Sequence, residues 1–270
     1  MVVLARESGL TGDDGGTPPV LEVRNITKRY GTVTALRGAD LSLFPGEVLG
    51  LVGDNGAGKS TLVNILSGAI APSGGEIFVE GRQVVLKNPL DARACGIETV
   101  YQDLALAPDL PIWANLFAGR ERLVGGPLRR LGWLDRRAME RESVAYLERT
   151  KIRIGSVNSL VGRLSGGQRQ AVAVARAAAW GTKILILDEP TAALGVEQQE
   201  RVAELVRSVA AEGISVIIVT HNLRQVKELC TRTAVMFQGS VITTLYMADT
   251  DLNEVVSWIT GVGVPTHKEP

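Results

Sequence analysis

Short apolar runs cut by Gly and Pro set the rhythm of the chain from Leu21 onward. Leu21–Arg24 and Leu41–Phe44 alternate as half-buried strands do, and Pro45-Gly46 behind the second is a turn signal. Val48–Val52 is apolar throughout, the texture of a strand covered on both faces. A Gly-rich turn follows at once, and Lys59–Ala69 then reads as a helix. Ile77–Val79 and Ile97–Tyr101 are further strands. From about Leu104 to Gly181 strand-like runs give way to Ala, Arg, Leu and Glu, with helical spacing in Arg136–Arg149 and Arg169–Ala179. Ile184–Leu187 and Ser215–Thr220 are again buried strands, separated by a helix over Glu197–Ala211. Strand alternating with helix predicts an α/β fold whose sheet is mostly parallel. No internal repeat is visible. The expected organisation is a leader over 1–19, a core over 20–103 and 181–262, a helical insertion over about 104–180, and a tail over 263–270.

With 270 residues the chain can bury a substantial core unaided, and 45 % hydrophobic with 21 % charged residues is ordinary for a globular protein. Lys and Arg number 29 against 29 Asp and Glu, which argues against a protein that grips nucleic acid through a basic field. Cys95 and Cys230 show no CxxC spacing and read as reduced structural thiols. The apolar start Val2–Ala5 is too short for a signal peptide and lacks a charged segment before it. No segment approaches the roughly 20 apolar residues of a membrane span, so any membrane role has to come through a partner.

Two stretches carry nucleotide chemistry. Gly53-Asp54-Asn55-Gly56-Ala57-Gly58-Lys59-Ser60-Thr61 satisfies GxxxxGK[ST] between a buried strand and a helix. Its glycines let backbone N–H groups approach phosphate oxygens with no Cβ in the way, and the helix adds the positive end of its dipole. Lys59 is placed to reach the β- and γ-phosphates, and the Ser60 hydroxyl is a hard ligand suited to Mg²⁺. Ile184–Leu187 ends in Asp188 and Glu189. A carboxylate at a strand tip beside a phosphate loop supports magnesium, the role given to Asp188, while Glu189 can polarise an attacking water.

Leu164-Ser165-Gly166-Gly167-Gln168 settles the class. Together with the two stretches around it, this LSGGQ makes the chain closely resemble the ATP-binding cassette (ABC) ATPases from about Leu21 to Gly261. The resemblance implies a P-loop NTPase cassette with a mostly parallel core sheet, an antiparallel N-terminal β part and an inserted helical subdomain, using ATP and Mg²⁺. Ser165-Gly166-Gly167 also opens a helical run and so offers bare N–H groups to an anion. The resemblance implies that Ser165, Gly166, Gly167 and Gln168 close over the γ-phosphate held by a second copy, making a homodimer part of the mechanism. It further implies that Tyr30 stacks on adenine, the alternative being a core Tyr. Gln102 is implied to touch magnesium and the attacking water and to link the site to a transmembrane partner, and His221 to contact the γ-phosphate. Glu189, His221 and Gln102 are then the catalytic set, and Ser60, Gln102 and Asp188 the metal set.

One position departs: many cassettes carry Asp where Gly195 stands, and in the family that Asp helps the two subunits sense each other. The Ala-Ala-Leu-Gly-Val form is similar to the simple-sugar importers, as are Gly96–Leu104, Asn115–Glu121, Gly132–Arg137 and Thr220–Leu223. This implies a peripheral subunit on the cytoplasmic face of the membrane, working with a permease and indirectly with an extracytoplasmic sugar-binding protein; fructose, xylose and ribose are typical cargo. The alternatives are a non-sugar importer or exporter subunit and a soluble ABC ATPase, the latter usually marked by coiled coils or two cassettes. The stretch Arg120–Arg141, diluted by Glu121, Asp135 and Glu140, reads as a solvated face, and the groove near Gln102–Asn115, with Trp113, as the coupling surface. Trp133, Trp180 and Trp258 are expected to pack inside.

Overall fold

The computed structural model describes residues 17–126, 132–149, 155–180, 182–192 and 194–262. Most of the expected leader, the expected tail and residues 127–131 of the arginine-rich stretch lie outside these ranges. In chain order the elements are β1 (Leu21–Tyr30), β2 (Val33–Leu43), β3 (Val48–Gly53), α1 (Lys59–Leu66), β4 (Gly74–Val79), β5 (Arg82–Val84), α2 (Pro89–Ala94), β6 (Ile97–Val100) and α3 (Ile112–Leu116). They continue as α4 (Arg136–Arg149), α5 (Gly166–Ala178), β7 (Ile184–Asp188), α6 (Val196–Ala211), β8 (Ser215–Val219), α7 (Leu223–Leu229), β9 (Arg232–Phe237), β10 (Ser240–Tyr246) and α8 (Leu252–Ile259).

Two sheets result. One is antiparallel, ordered β2-β1-β4-β5; the other is ordered β10-β9-β3-β8-β7-β6, with parallel pairing from β9 to β6 and β10 antiparallel at its edge. The expected α/β class and the antiparallel N-terminal part are both present. Strand alternation decides which layer each apolar residue joins. Leu49 and Leu51 of β3, Ile184 and Ile186 of β7, and Ile217 and Val219 of β8 pack with α1 and the antiparallel sheet. Val48 and Val52, Leu185 and Leu187, and Val216 and Ile218 point the other way, into α5, α6 and α7. A third cluster joins Ile112, Trp113, Leu116 and Phe117 to Met139, Leu147, Val161 and Val172, giving the helical part a core of its own.

The boundaries differ from the sequence expectation where local geometry intervenes. β1 and β2 run longer than expected because β1 carries an irregular register near Asn25, whose φ of 49° interrupts simple alternation. α1 stops at Leu66, not Ala69, capped by Ser67 before Gly68 turns left-handed at φ 72°. α5 starts at Gly166, ahead of Arg169, because Ser165 caps it. The β9–β10 hairpin lay beyond the last expected element. Its two-residue turn is Gln238-Gly239, both at positive φ, 47° and 86°, the geometry usually supplied by Asn-Gly.

Of the tryptophans, Trp113 is buried, Trp180 donates its Nε1–H to the Leu116 carbonyl at 3.1 Å, and Trp258 packs on the second core. Trp133 departs from the expectation: it is 60 % exposed, beside the isolated Leu123–Leu134 bridge, with its carbonyl accepting from Val124 N–H at 2.8 Å. Arg122 pairs with Glu142 at 3.2 Å and Arg136 with Glu140 at 2.6 Å, so these two surface arginines are compensated by nearby acids. The buried pair Glu47–Arg232, 3.3 Å apart, ties the turn before β3 to the start of β9.

Both cysteines are free; Cys95 is half-buried and Cys230 buried. Burial, and then Glu47, push the Cys230 thiol up to about 12. Iodoacetamide at neutral pH is therefore expected to label Cys95 in the native protein and to reach Cys230 only on unfolding. Mass spectrometry showing equal native labelling of both would contradict this packing.

Candidate functional site

The carboxyl ends of four adjacent parallel strands bring the candidate residues to one edge of the sheet. β3 ends at Gly53, β7 ends at Asp188 with Glu189 next, Thr220 and His221 follow β8, and Gln102 lies two residues past β6. In open α/β sheets this edge is where ligands bind.

The loop from Gly53 to Gly58 is shaped by two close approaches. A Cβ at Gly53 would sit 2.3 Å from the Met236 carbonyl oxygen, and one at Gly58 would sit 2.8 Å from Leu36 Cδ2. Gly53, Gly56 and Gly58 all have positive φ, at 153°, 84° and 107°. Ala57 is buried and accepts a hydrogen bond from Gly239 N–H at 3.0 Å, pinning the loop to the β9–β10 turn. Asp54, Asn55, Gly56 and Ser60 face solvent, and no Cβ position at Gly56 meets an atom within 4 Å. Gly58 caps α1 without a side chain, so the first N–H groups of α1, from Lys59 through Thr61, have no side-chain cap. Lys59 Nζ lies across the loop, donating to the carbonyls of Gly53 at 2.7 Å and Asp54 at 3.0 Å. Burial lowers its pKa, while Glu189, Asp54 and Asp188 oppose that shift.

Asp188 and Glu189 differ in role by geometry. The Asp188 carboxyl is pushed upward by burial and then by Glu189, with Lys59 pulling the other way. Glu189 has a φ of 50°, unusual for a residue with a Cβ, and its N–H donates to the Val219 carbonyl at 2.8 Å. Its side chain is held from β8: His221 Nδ1 is 2.9 Å from Oε1, and the Thr220 hydroxyl donates to Oε2 at 3.5 Å. An ionised carboxylate only accepts, so Nδ1 must carry the proton in this contact. Sequence reasoning missed Thr220; its place directly before His221 was the available signal.

Gln102 is exposed, and its neighbour Tyr101 donates its hydroxyl to Ser67 Oγ at 2.7 Å. Tyr30 is 49 % exposed at the end of β1, with Lys28 Nζ 5.1 Å from its ring centroid, so the core alternative for this residue falls away. Ser165 through Gln168 stand elsewhere, at the tip of α5 on the helical part. Ser165 Oγ accepts from Gln168 N–H, and Gln168 Oε1 accepts from Ser165 N–H at 3.0 Å, a reciprocal cap. The Ser165 hydroxyl proton and the N–H groups of Gly166 and Gly167 remain available to an anion. Added Cβ atoms on these glycines would meet Leu194 at 3.2 Å and Gln198 at 3.1 Å. Gly195 caps α6 with no side-chain bond, and Val196 after it is 85 % exposed.

This donor set fits a magnesium–nucleotide complex. Among the described residues no cluster of three or more His, Cys, Asp or Glu can hold a metal by itself. Mg²⁺ commonly binds through one or two carboxylates together with water and substrate phosphates, and the Asp188 carboxyl, pushed up by burial and by Glu189, would gain from a cation beside it.

Residues 36–192, more than half of the chain, match the ABC transporter family. The Fructose import ATP-binding protein FrcA of Rhizobium meliloti is 45 % identical, the alignment covering 93 % of this chain and 97 % of that protein. The Xylose/arabinose import ATP-binding protein XylG of Sulfolobus acidocaldarius is 44 % identical over 89 % of this chain and 94 % of its own length. The Ribose import ATP-binding protein RbsA 1 of Rubrobacter xylanophilus is 42 % identical over 90 % of this chain, which spans 47 % of that longer protein. Among solved structures, the ADP conformation of an ATP-binding cassette of an ABC transporter superposes with a TM-score of 0.76 at 27 % identity, covering 90 % of this chain and 96 % of the other. A dimeric bacterial ABC transporter cassette gives 0.69 at 25 % identity, covering 84 % and 98 %. With a phosphate loop, a strand-end carboxylate pair and a glycine-tipped helix on this fold, the chain belongs to the ABC transporter family, as an ATP-binding cassette.

Proposed function

We propose that this cassette hydrolyses ATP between two copies of itself to drive uptake of a monosaccharide through a separate permease. The observation that carries the catalytic half is Glu189, aimed by His221 and Thr220 at the strand edge that holds the Lys59 loop. The sugar half is supported by relatives whose names specify import of fructose, xylose or arabinose, and ribose.

In this reading the loop N–H groups of Gly53 through Thr61 and the Lys59 ammonium hold the β- and γ-phosphates, and Tyr30 offers its exposed ring to the base. Lys59 exchanges two carbonyl contacts for phosphate oxygens, recovering attraction that burial makes costly to forgo. Mg²⁺, when bound, neutralises phosphate charge, and Ser60, Asp188 and Gln102 are the side chains that would hold it. Glu189 accepts a proton from the attacking water, and His221 steadies the carboxylate. Ser165, Gly166, Gly167 and Gln168 of the second copy donate to the γ-phosphate, so ATP favours the closed pair and ADP does not. The helical part over 104–180 transmits that closure to the permease, and Gln102–Asn115 is the contact surface. Two features suit that surface: Asn115, buried, holds the loop around Pro108 by bonding to Ala107, Leu110 and Pro111, and Leu110 is 46 % exposed. The cassette then sits on the cytoplasmic face of the membrane; among the described residues no helix is long and apolar enough to cross it. An extracytoplasmic sugar-binding protein would deliver cargo to the permease.

The test is uptake of labelled fructose, xylose, arabinose and ribose by cells lacking this chain. Loss of one activity, restored by the parental chain and not by Glu189→Gln, is expected; unchanged uptake of all four would remove the sugar assignment. Separately, Lys59→Ala is expected to weaken ATP binding roughly 10- to 100-fold through lost charge-assisted hydrogen bonds. Equilibrium titration with a fluorescent ATP analogue measures it, and unchanged affinity would undo the phosphate-loop assignment.

A further inference from the structure

Gln102 sits in a short segment that is tied at both ends to different parts of the molecule. On its N-terminal side Tyr101 donates its hydroxyl to Ser67 Oγ at 2.7 Å, and Ser67 caps α1, the helix that begins with Lys59. On its C-terminal side Arg176 reaches from α5 and donates through Nη1 to the Ala105 carbonyl at 2.8 Å and through Nη2 to the Leu104 carbonyl at 2.9 Å. The segment between these anchors is itself folded tightly. Asp103 Oδ1 accepts from Ala105 N–H at 3.2 Å, and Ala105 has a φ of 47°, an uncommon conformation for a residue with a Cβ.

Arg176 is an unusual choice for a merely structural contact. Its side chain is half-buried, and burial followed by the nearby Arg93 lowers its pKa, with Glu98 working the other way. A charge placed there is compensated by backbone oxygen dipoles, and the planar fork matches two successive carbonyls as a single ammonium cannot. The same helix is capped by Ser165, eleven residues earlier and roughly 16 Å away along the axis. A rigid helix thus joins the tip that would meet a partner's γ-phosphate to the strap that carries Gln102.

We propose that Arg176 is a positioning residue, which makes the Gln102 strap move with the Ser165 helix while Tyr101 holds the strap's other end to the Lys59 helix. Gln102 is thereby drawn to the reacting phosphate only when the two helices take their closed relation. This inference rests on the proposed roles of Gln102 and Ser165.

The test is a double-mutant cycle on kcat with Arg176→Gln, Gln102→Ala and the pair. Arg176→Gln is expected to lower kcat ~10- to 100-fold, as a misplaced catalytic group does, while ATP affinity stays within about twofold. The half-saturating Mg²⁺ concentration rises, because Gln102 no longer arrives in place. The pair should be no slower than Gln102→Ala alone, and Arg176→Lys should recover part of the rate by keeping one carbonyl contact. Full multiplication of the two single effects, or an Arg176→Gln protein whose only change is a lower Tm, overturns the proposal while leaving Gln102 its role. Parental kcat in Gln102→Ala overturns both the proposal and the reading beneath it. Should Arg176→Gln fail to fold, Tyr101→Phe, which releases the opposite anchor, enters the same cycle and is judged by the same outcomes.

Discussion

Glu189→Gln should bind ATP as the parent does and turn it over about 10²–10⁴ times more slowly, the usual contribution of a general base. The substitution keeps side-chain size, so the positive φ of 50° and the bond to the Val219 carbonyl persist and the strand edge stays intact. What changes is the charge that accepts the proton. His221 can still face residue 189 through Nδ1, now toward an amide oxygen, so the contact at 2.9 Å need not be lost. Because the γ-phosphate survives, the two copies should remain closed, visible as an ATP-dependent dimer in size-exclusion chromatography with light scattering. Phosphate release measures the chemical loss. Parental turnover would refute the assignment of the base, and a greater loss in His221→Ala than in Glu189→Gln would move that role to the histidine. The tautomer adds a constraint. While a neutral His221 gives its Nδ1 proton to Glu189, its Nε2 can only accept, so contact with a phosphate oxygen through that atom requires protonation or release from Glu189.

The second large effect is on stability. Arg232→Met is expected to cost about 3–5 kcal/mol, because it leaves the Glu47 carboxylate buried without its guanidinium. Both side chains are nearly enclosed, at 10 % and 7 % exposure, and the guanidinium carbon lies over the rings of Phe44 and Tyr246, 5.0 and 5.7 Å from their centroids. Glu47 also accepts from Phe44 N–H at 2.8 Å, so the turn before β3 is organised around this carboxylate. Urea unfolding reports the loss, and Glu47→Gln combined with Arg232→Met should recover part of it. A loss under about 1 kcal/mol in the single variant would mean that water or a rearranged turn satisfies the acid.

The central strands were legible in the sequence because burial on both faces leaves unbroken apolar runs, as in Val48–Val52 and Ile184–Leu187. The phosphate loop and carboxylate pair were legible because their chemistry tolerates few other residues. What escaped depended on neighbours distant in sequence. β10 is half-covered along its length and gives no clean alternation, and its Gln238-Gly239 turn lacks the Asn that usually announces such a hairpin. α3 and α7 are short helices held by tertiary contact and side-chain caps, Asn222 in the case of α7, and their periodicity is too brief to register. The exposure of Trp133 follows from where the chain places it in the fold, which no local pattern encodes. Likewise Tyr101, Thr220 and Arg176 are ordinary residues until the fold sets them against Ser67, Glu189 and two backbone carbonyls.

Helix α5 belongs to two cores at once: Ala173, Val174, Ala177 and Ala178 face the sheet layer, and Val172 and Ala175 face the helical cluster. The insertion is consequently no detachable module. Residues 104–180 expressed alone would present that alanine face to water, and a chimera grafting them onto another cassette would have to match it to the recipient's α6.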